Sequence, residues 1–113
     1  DVPIFQKTYD FYKKLYLYLG KFPKTHRYTL GQRLDNLTIE MFELLTATNG
    51  RKLSDKYLLL ERASVKVDTL KLLLRLAKDT QALKNNSYID LETDLIEIGK
   101  MLGGWLKHTK QIT

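Results

Sequence analysis

Apolar residues recur at steps of three and four along almost the whole chain, and that spacing admits an α-helical reading and little else. Phe5, Tyr9, Tyr12, Tyr16 and Leu19 form a first stripe, opened by Pro3 and closed by Gly20 and Pro23. A second, Leu30, Leu34, Leu37, Met41, Leu44 and Thr48, stops at Asn49-Gly50, a pair that tolerates the left-handed conformation of a helix end. Tyr57, Leu60, Ser64, Val67, Leu70, Leu74 and Ala77 carry a third, broken at Asn85-Asn86. Leu91, Leu95, Ile98, Leu102 and Trp105 carry a fourth, preceded by Ser87 and Asp90 at capping-box spacing. The spacing predicts helices over roughly 3–22, 25–49, 54–83 and 88–109. Four amphipathic helices with short connections pack most simply as an antiparallel up-down-up-down four-helix bundle, and 113 residues suit a single all-α domain, 1–113.

The same residues speak against chemistry of the chain's own. There is no cysteine, which removes disulfides, thiolate metal sites and cysteine nucleophiles. His26 and His108 stand on different helices and no glutamate is followed three residues later by histidine, so the di-metal pattern of helical bundles is absent. Glu40 and Glu43 lie one turn apart, but in an apolar segment they read as solvated groups or as partners for a basic neighbour. Neither a phosphate-binding glycine loop nor a nucleophile elbow occurs, so neither cofactor nor metal is expected. No uncharged apolar run approaches membrane-spanning length, and Asp1-Val2-Pro3-Ile4 lacks a basic-then-apolar signal pattern, which points to a cytoplasmic setting away from membranes.

Charge and surplus apolar surface point instead to binding. The net charge is +6 and is segregated: residues 1–34 hold seven Lys/Arg against two acids and 51–84 hold nine against four, while 35–50 hold three acids and no base. Lys7, Lys14 and Lys21 repeat every seven residues; Arg62 with Lys66, and Lys71, Arg75 and Lys78, form further lines; Lys24, His26, Arg27 and Arg33 surround the first connection, with Tyr28 available for stacking. Such ordered bases favour a polyanion bound through its backbone, a nucleic acid above all. The third helix also carries Leu58, Val65 and Leu72 at heptad spacing, and the first adds Ile4, Phe11, Leu15, Tyr18 and Phe22 to its stripe, more apolar surface than a monomeric bundle needs. Phe11, Tyr18, Leu58, Val65 and Leu72 are therefore expected to face a neighbouring molecule. Gly99 and Gly103 share one face of the fourth helix beside Trp105 and suit close approach by a neighbouring helix; the alternative is that the helix frays at Gly103-Gly104.

Three strings carry a resemblance. FPKTHRYTLGQRL from Phe22 to Leu34, RLAK from Arg75 to Lys78 and EIGKMLGGW from Glu97 to Trp105 resemble the accessory variability determinant, Avd, of diversity-generating retroelements. The likeness spans all four helices. It implies a four-helix protomer assembled as a homopentameric barrel in a bacterial cell or phage-infected host. In that setting it would bind the reverse transcriptase and the template-repeat and flanking RNA, with the cDNA as a further nucleic-acid partner, in support of mutagenic cDNA synthesis. The polymerase would do the chemistry. A second resemblance is to the four-helix protein encoded within 23S ribosomal RNA intervening sequences, whose second helix ends in a proline-containing stretch; here Thr38 to Leu45 reads TIEMFELL, without proline. A third reading is a purely structural oligomerisation bundle.

Overall fold

A computed structural model of the chain describes residues 2–111. Its helices are α1 (Val2–Leu19), α2 (Gln32–Ala47), α3 (Leu53–Asp79) and α4 (Asn85–Gln111), and there is no strand among the described residues. At about 1.5 Å per residue the two 27-residue helices reach roughly 40 Å, which accounts for the long axis of a molecule measuring 46 × 22 × 20 Å. Helices adjacent in sequence pack against each other, and α1 closes the ring against α4. The short α2–α3 and α3–α4 connections force antiparallel neighbours, so the chain runs up, down, up and down.

In α2, α3 and α4 the core residues match the stripes of the sequence. Leu34, Leu37 and Met41, then Leu60, Val67, Leu70, Leu74 and Ala77, then Leu91, Leu95, Ile98 and Leu102 are all buried. On α1 the assignment is reversed. Ile4, Phe11 and Leu15 form the core face, continued by Phe22 beyond the helix end, while Tyr9 and Tyr16 are 55% and 65% exposed. Two stripes of equal spacing lie one residue apart on this helix; the buried one takes in Thr8, whereas the one left at the edge or in solvent carries three tyrosines, Tyr9, Tyr12 and Tyr16. Phe5 and Tyr12 occupy its edge toward α2, where the Phe5 ring lies 6.2 Å from that of Phe42.

Helix ends also depart from expectation. After Gly20 the chain turns through Pro23, whose carbonyl accepts the amides of His26 and Arg27, and enters α2 through one α-turn (Lys24–His26) and a π-helical turn (Arg27–Gly31). Gly31 permits this packing: a Cβ there would lie 3.3 Å from the His26 carbonyl and 3.4 Å from the Phe22 ring. Helix α3 stops at Asp79, short of 83, because Gln81 adopts a left-handed φ of 65° and folds Ala82 and Leu83 back onto the core. Helix α4 consequently starts at Asn85, with the Tyr88 amide on the Lys84 carbonyl. Ser87 and Asp90 lie inside it and do not form an entry cap. It continues through Gly103-Gly104 without fraying.

Candidate nucleic-acid interface

Alternate helices run the same way, so the α1–α2 and α3–α4 connections meet at one end of the bundle. Topology therefore gathers basic residues that are distant in sequence. Lys21, Lys24 and Arg27 come from the first connection, Arg33 from the first turn of α2, Arg75 and Lys78 from the end of α3, and Lys84 from the second connection. Lys21, Lys24, Arg33 and Lys84 project into solvent. No sequence pattern singles out Lys84. It belongs to none of the periodic lines and joins the group only because α3 and α1 end together.

Other bases at this end are held in place. Nη2 of Arg27 donates to the carbonyls of Gly20 and Phe22 at 3.3 and 3.2 Å, tying the guanidinium to the connection. Asp79 sits 3.8 Å from Nε of Arg75 and 3.9 Å from Nζ of Lys78. Lys78 also lies 4.7 Å from the centroid of the Tyr88 ring, whose hydroxyl donates to Glu92 and is raised in pKa mainly by that bond.

The heptad of lysines on α1 does not form a free basic line. Lys7 pairs with Asp94 and Glu97, each at 3.2 Å, and Lys14 with Asp90 at 2.9 Å and Asp94 at 3.0 Å. Tyr18 donates to the second oxygen of Asp90 at 2.8 Å. Hydrogen bonds to Asp94 and to Asp90 respectively hold Lys7 and Lys14 above the ordinary lysine pKa, while the Lys14 bond draws Asp90 below its usual value. These groups close the seam between α1 and α4, so their charge is largely cancelled at source. Lys21, beyond the helix, is the member of the heptad that stays exposed. Lys66 donates to Glu40 at 3.0 Å and ties α3 to α2. Lys71 is half-buried with its Nζ over Gly99, whereas Arg62 is exposed beside Glu40 and Glu43.

The expected interface residues divide in the same way. Leu58, Val65 and Leu72 are 47%, 62% and 64% exposed on the face of α3 turned away from the core, an apolar line with no cover from its own chain. Phe11 is fully buried within its own bundle and so faces no neighbour, whereas Tyr18 stays half-buried with its hydroxyl on Asp90. Gly99 receives Lys71 and Val67 of the same chain, and Trp105 packs half-buried against the core. A Cβ at Gly103 would meet nothing within 4 Å.

Small size, four antiparallel helices, a basic end and an apolar line on α3 left uncovered by the chain itself define a small helical-bundle protein. A family model described as bAvd-like matches residues 3–109, and the chain belongs to that family. The Avd resemblance carried by the three strings thus extends over nearly the whole chain. No curated protein matches it. No helix among the described residues is long and apolar enough to cross a membrane, and these residues contain no group of three His, Cys, Asp or Glu placed to hold a metal ion.

Proposed function

We propose that this Avd-type chain is a non-catalytic accessory of a diversity-generating retroelement, holding template RNA by its phosphate backbone beside the reverse transcriptase. The observation that carries the reading is the convergence of bases at one end: the FPKTHRYTLGQR string, the close of α3 and Lys84 supply positive charge there from three parts of the chain. Counterion release makes such a surface a backbone binder with little sequence preference. The line Leu58, Val65, Leu72 supports self-assembly, with the pentamer of the family resemblance as the preferred form, and a ring of subunits would multiply each basic end into one larger field.

Replacing Lys21, Lys24, Arg33 and Lys84 together with alanine tests the first part. RNA retention should be lost, the salt slope should fall by roughly 0.7 per lost single-strand contact, and thermal stability should change little, since exposed substitutions cost under about 0.5 kcal/mol each. Light scattering on the same protein, beside a Leu72→Asp variant, tests the second: the four-alanine protein should keep the wild-type mass and Leu72→Asp should not. RNA retained at full strength by the four-alanine variant removes the basic end from the mechanism.

A further inference from the structure

Tyr28 and Tyr16 are the two most exposed large apolar side chains described, at 68% and 65%. They line one cleft, about 500 Å³ in volume, together with Arg27, Gln32 and Asp35, within the size range of about 300–1,000 Å³ usual for small-ligand sites. Solvated tyrosines on a helix flank need no function. Here, though, two of the polar groups around the rings, Arg27 and Asp35, are held in place. The π-helical turn, packed tightly at Gly31, sets the position of Tyr28. Arg27 is anchored through Nη2 alone and keeps its other nitrogens for a ligand. The Tyr12 hydroxyl donates to Oδ1 of Asp35 at 2.8 Å, which orients that carboxylate and leaves Oδ2 available.

We infer that this cleft is a nucleobase site, in which one base of a single strand stacks on Tyr16 and Tyr28 and donates its exocyclic amine to Asp35, while Arg27 meets the adjoining phosphate. The inference rests on the nucleic-acid reading above and adds to it a base-selective contact. A flat π-system suits two aromatic faces. The carboxylate only accepts, so it takes the amino N–H of cytosine, adenine or guanine and is repelled by the carbonyl that uracil presents at the same place. Gln32 offers both a donor and an acceptor to the rest of the base edge. A free anion is disfavoured by Asp35, whereas a strand supplies amine and phosphate together, and the exposed Lys21 and Lys24 neighbour the cleft in sequence and continue the path of its backbone.

The test compares short oligocytidylate and oligouridylate of equal length, by fluorescence anisotropy at several salt concentrations. Wild-type protein should prefer the cytidylate about tenfold. Tyr16→Ala and Tyr28→Ala should each weaken cytidylate binding about tenfold with the salt slope unchanged, and Tyr28→Phe should bind as wild type. Asp35→Asn, which keeps an acceptor for Tyr12 and adds a donor facing the uracil carbonyl, should erase the preference. If both alanine variants fold and bind both strands normally, the cleft is no base site, while the basic end stands on its four-alanine test. Normal strand binding combined with lost association with the polymerase makes the cleft a protein-docking site and overturns the inference. If wild-type protein binds neither strand at low salt, the nucleic-acid reading itself fails, and this site with it.

Discussion

The two flanks of α1 are built from opposite materials. Toward α4 the seam is ionic: Lys7, Lys14 and Tyr18 engage Asp90, Asp94 and Glu97, and the carboxylate of Asp94 is almost wholly buried. Toward α2 it is aromatic and partly open: Phe5 meets Phe42, Tyr12 reaches Asp35, and Tyr9 and Tyr16 remain in solvent. One helix thus spends charge on holding itself and leaves apolar rings outside. The usual association of exposed lysines with binding and periodic aromatics with the core is inverted here, because what counts is whether the neighbouring helix supplies a partner. Alpha-4 brings acids to the lysines, whereas α2 leaves the tyrosines half covered.

The largest effect that would break this comparison comes from the core face between the two seams. Phe11→Ala should cost about 3–5 kcal/mol in urea unfolding, while Tyr9→Ala, two positions away on the exposed stripe, should stay within about 0.5 kcal/mol. Equal losses would mean that the helix is rotated from the position described. A smaller effect compares the seams directly. Tyr12 and Tyr18 each donate to an aspartate at 2.8 Å, one on each flank. Tyr12→Phe and Tyr18→Phe should each cost roughly 1 kcal/mol. A cost confined to Tyr18→Phe would show that the open flank is held by ring packing alone.

Much of the fold is legible in the sequence, and the exceptions share a cause. On α2 and α4 one apolar face is clearly richer, so Leu37 or Leu95 can be placed inside without knowing the neighbours, whereas α3 is apolar on more than one side and Leu70 is placed by the longer of its two apolar lines. On α1 the two candidate faces have the same spacing and nearly the same apolar content. Only the partner helices distinguish them. The lysine heptad fails for the same reason, since its spacing is plain but Asp90, Asp94 and Glu97 lie more than seventy positions away. Lys84 enters the basic end through topology, which no local pattern expresses. The stop at Gln81 is invisible because glutamine carries no preference for a left-handed φ; burial of Ala82 and Leu83 imposes it. In the proposed site, the Arg27 and Tyr28 positions are readable from the connecting string, but Tyr16 and Asp35 are not, since the spacing puts Tyr16 in the core stripe and Asp35 in no pattern.

The smallest and most discriminating effect is the response to pH. Lys14 and then Tyr18 hydrogen-bond Asp90 and hold its carboxyl below the ordinary value of ~3.9. A lowered folded-state pKa contributes stability that is complete above the unfolded value and disappears as pH falls through the folded one. Lys7 and Lys14 are raised, so their share is complete below the ordinary lysine value of ~10.4 and fades only as pH climbs past it. On the other flank Tyr12 is pushed up to about 12, by burial first and by the Asp35 bond second. Its contribution is full below the ordinary tyrosine value of ~10 and is lost as pH rises toward about 12. Thermal midpoints measured from acid to alkaline pH should therefore isolate the ionic seam on the acid limb, while the alkaline limb is shared, because Tyr18 is raised as well, chiefly by its bond to Asp90. Asp90→Asn should flatten the acid limb below about pH 4, and Tyr12→Phe should leave that limb alone and flatten the alkaline one in part, the remainder belonging to Lys7, Lys14 and Tyr18. The side chains of Asp90 and Lys14 are each 39% exposed, so the acid effect is modest and should shrink further with added salt. An acid limb unchanged by Asp90→Asn would mean that the ion pairs do not hold α1 to α4, and that Lys14 is as free for a ligand as its heptad spacing suggests.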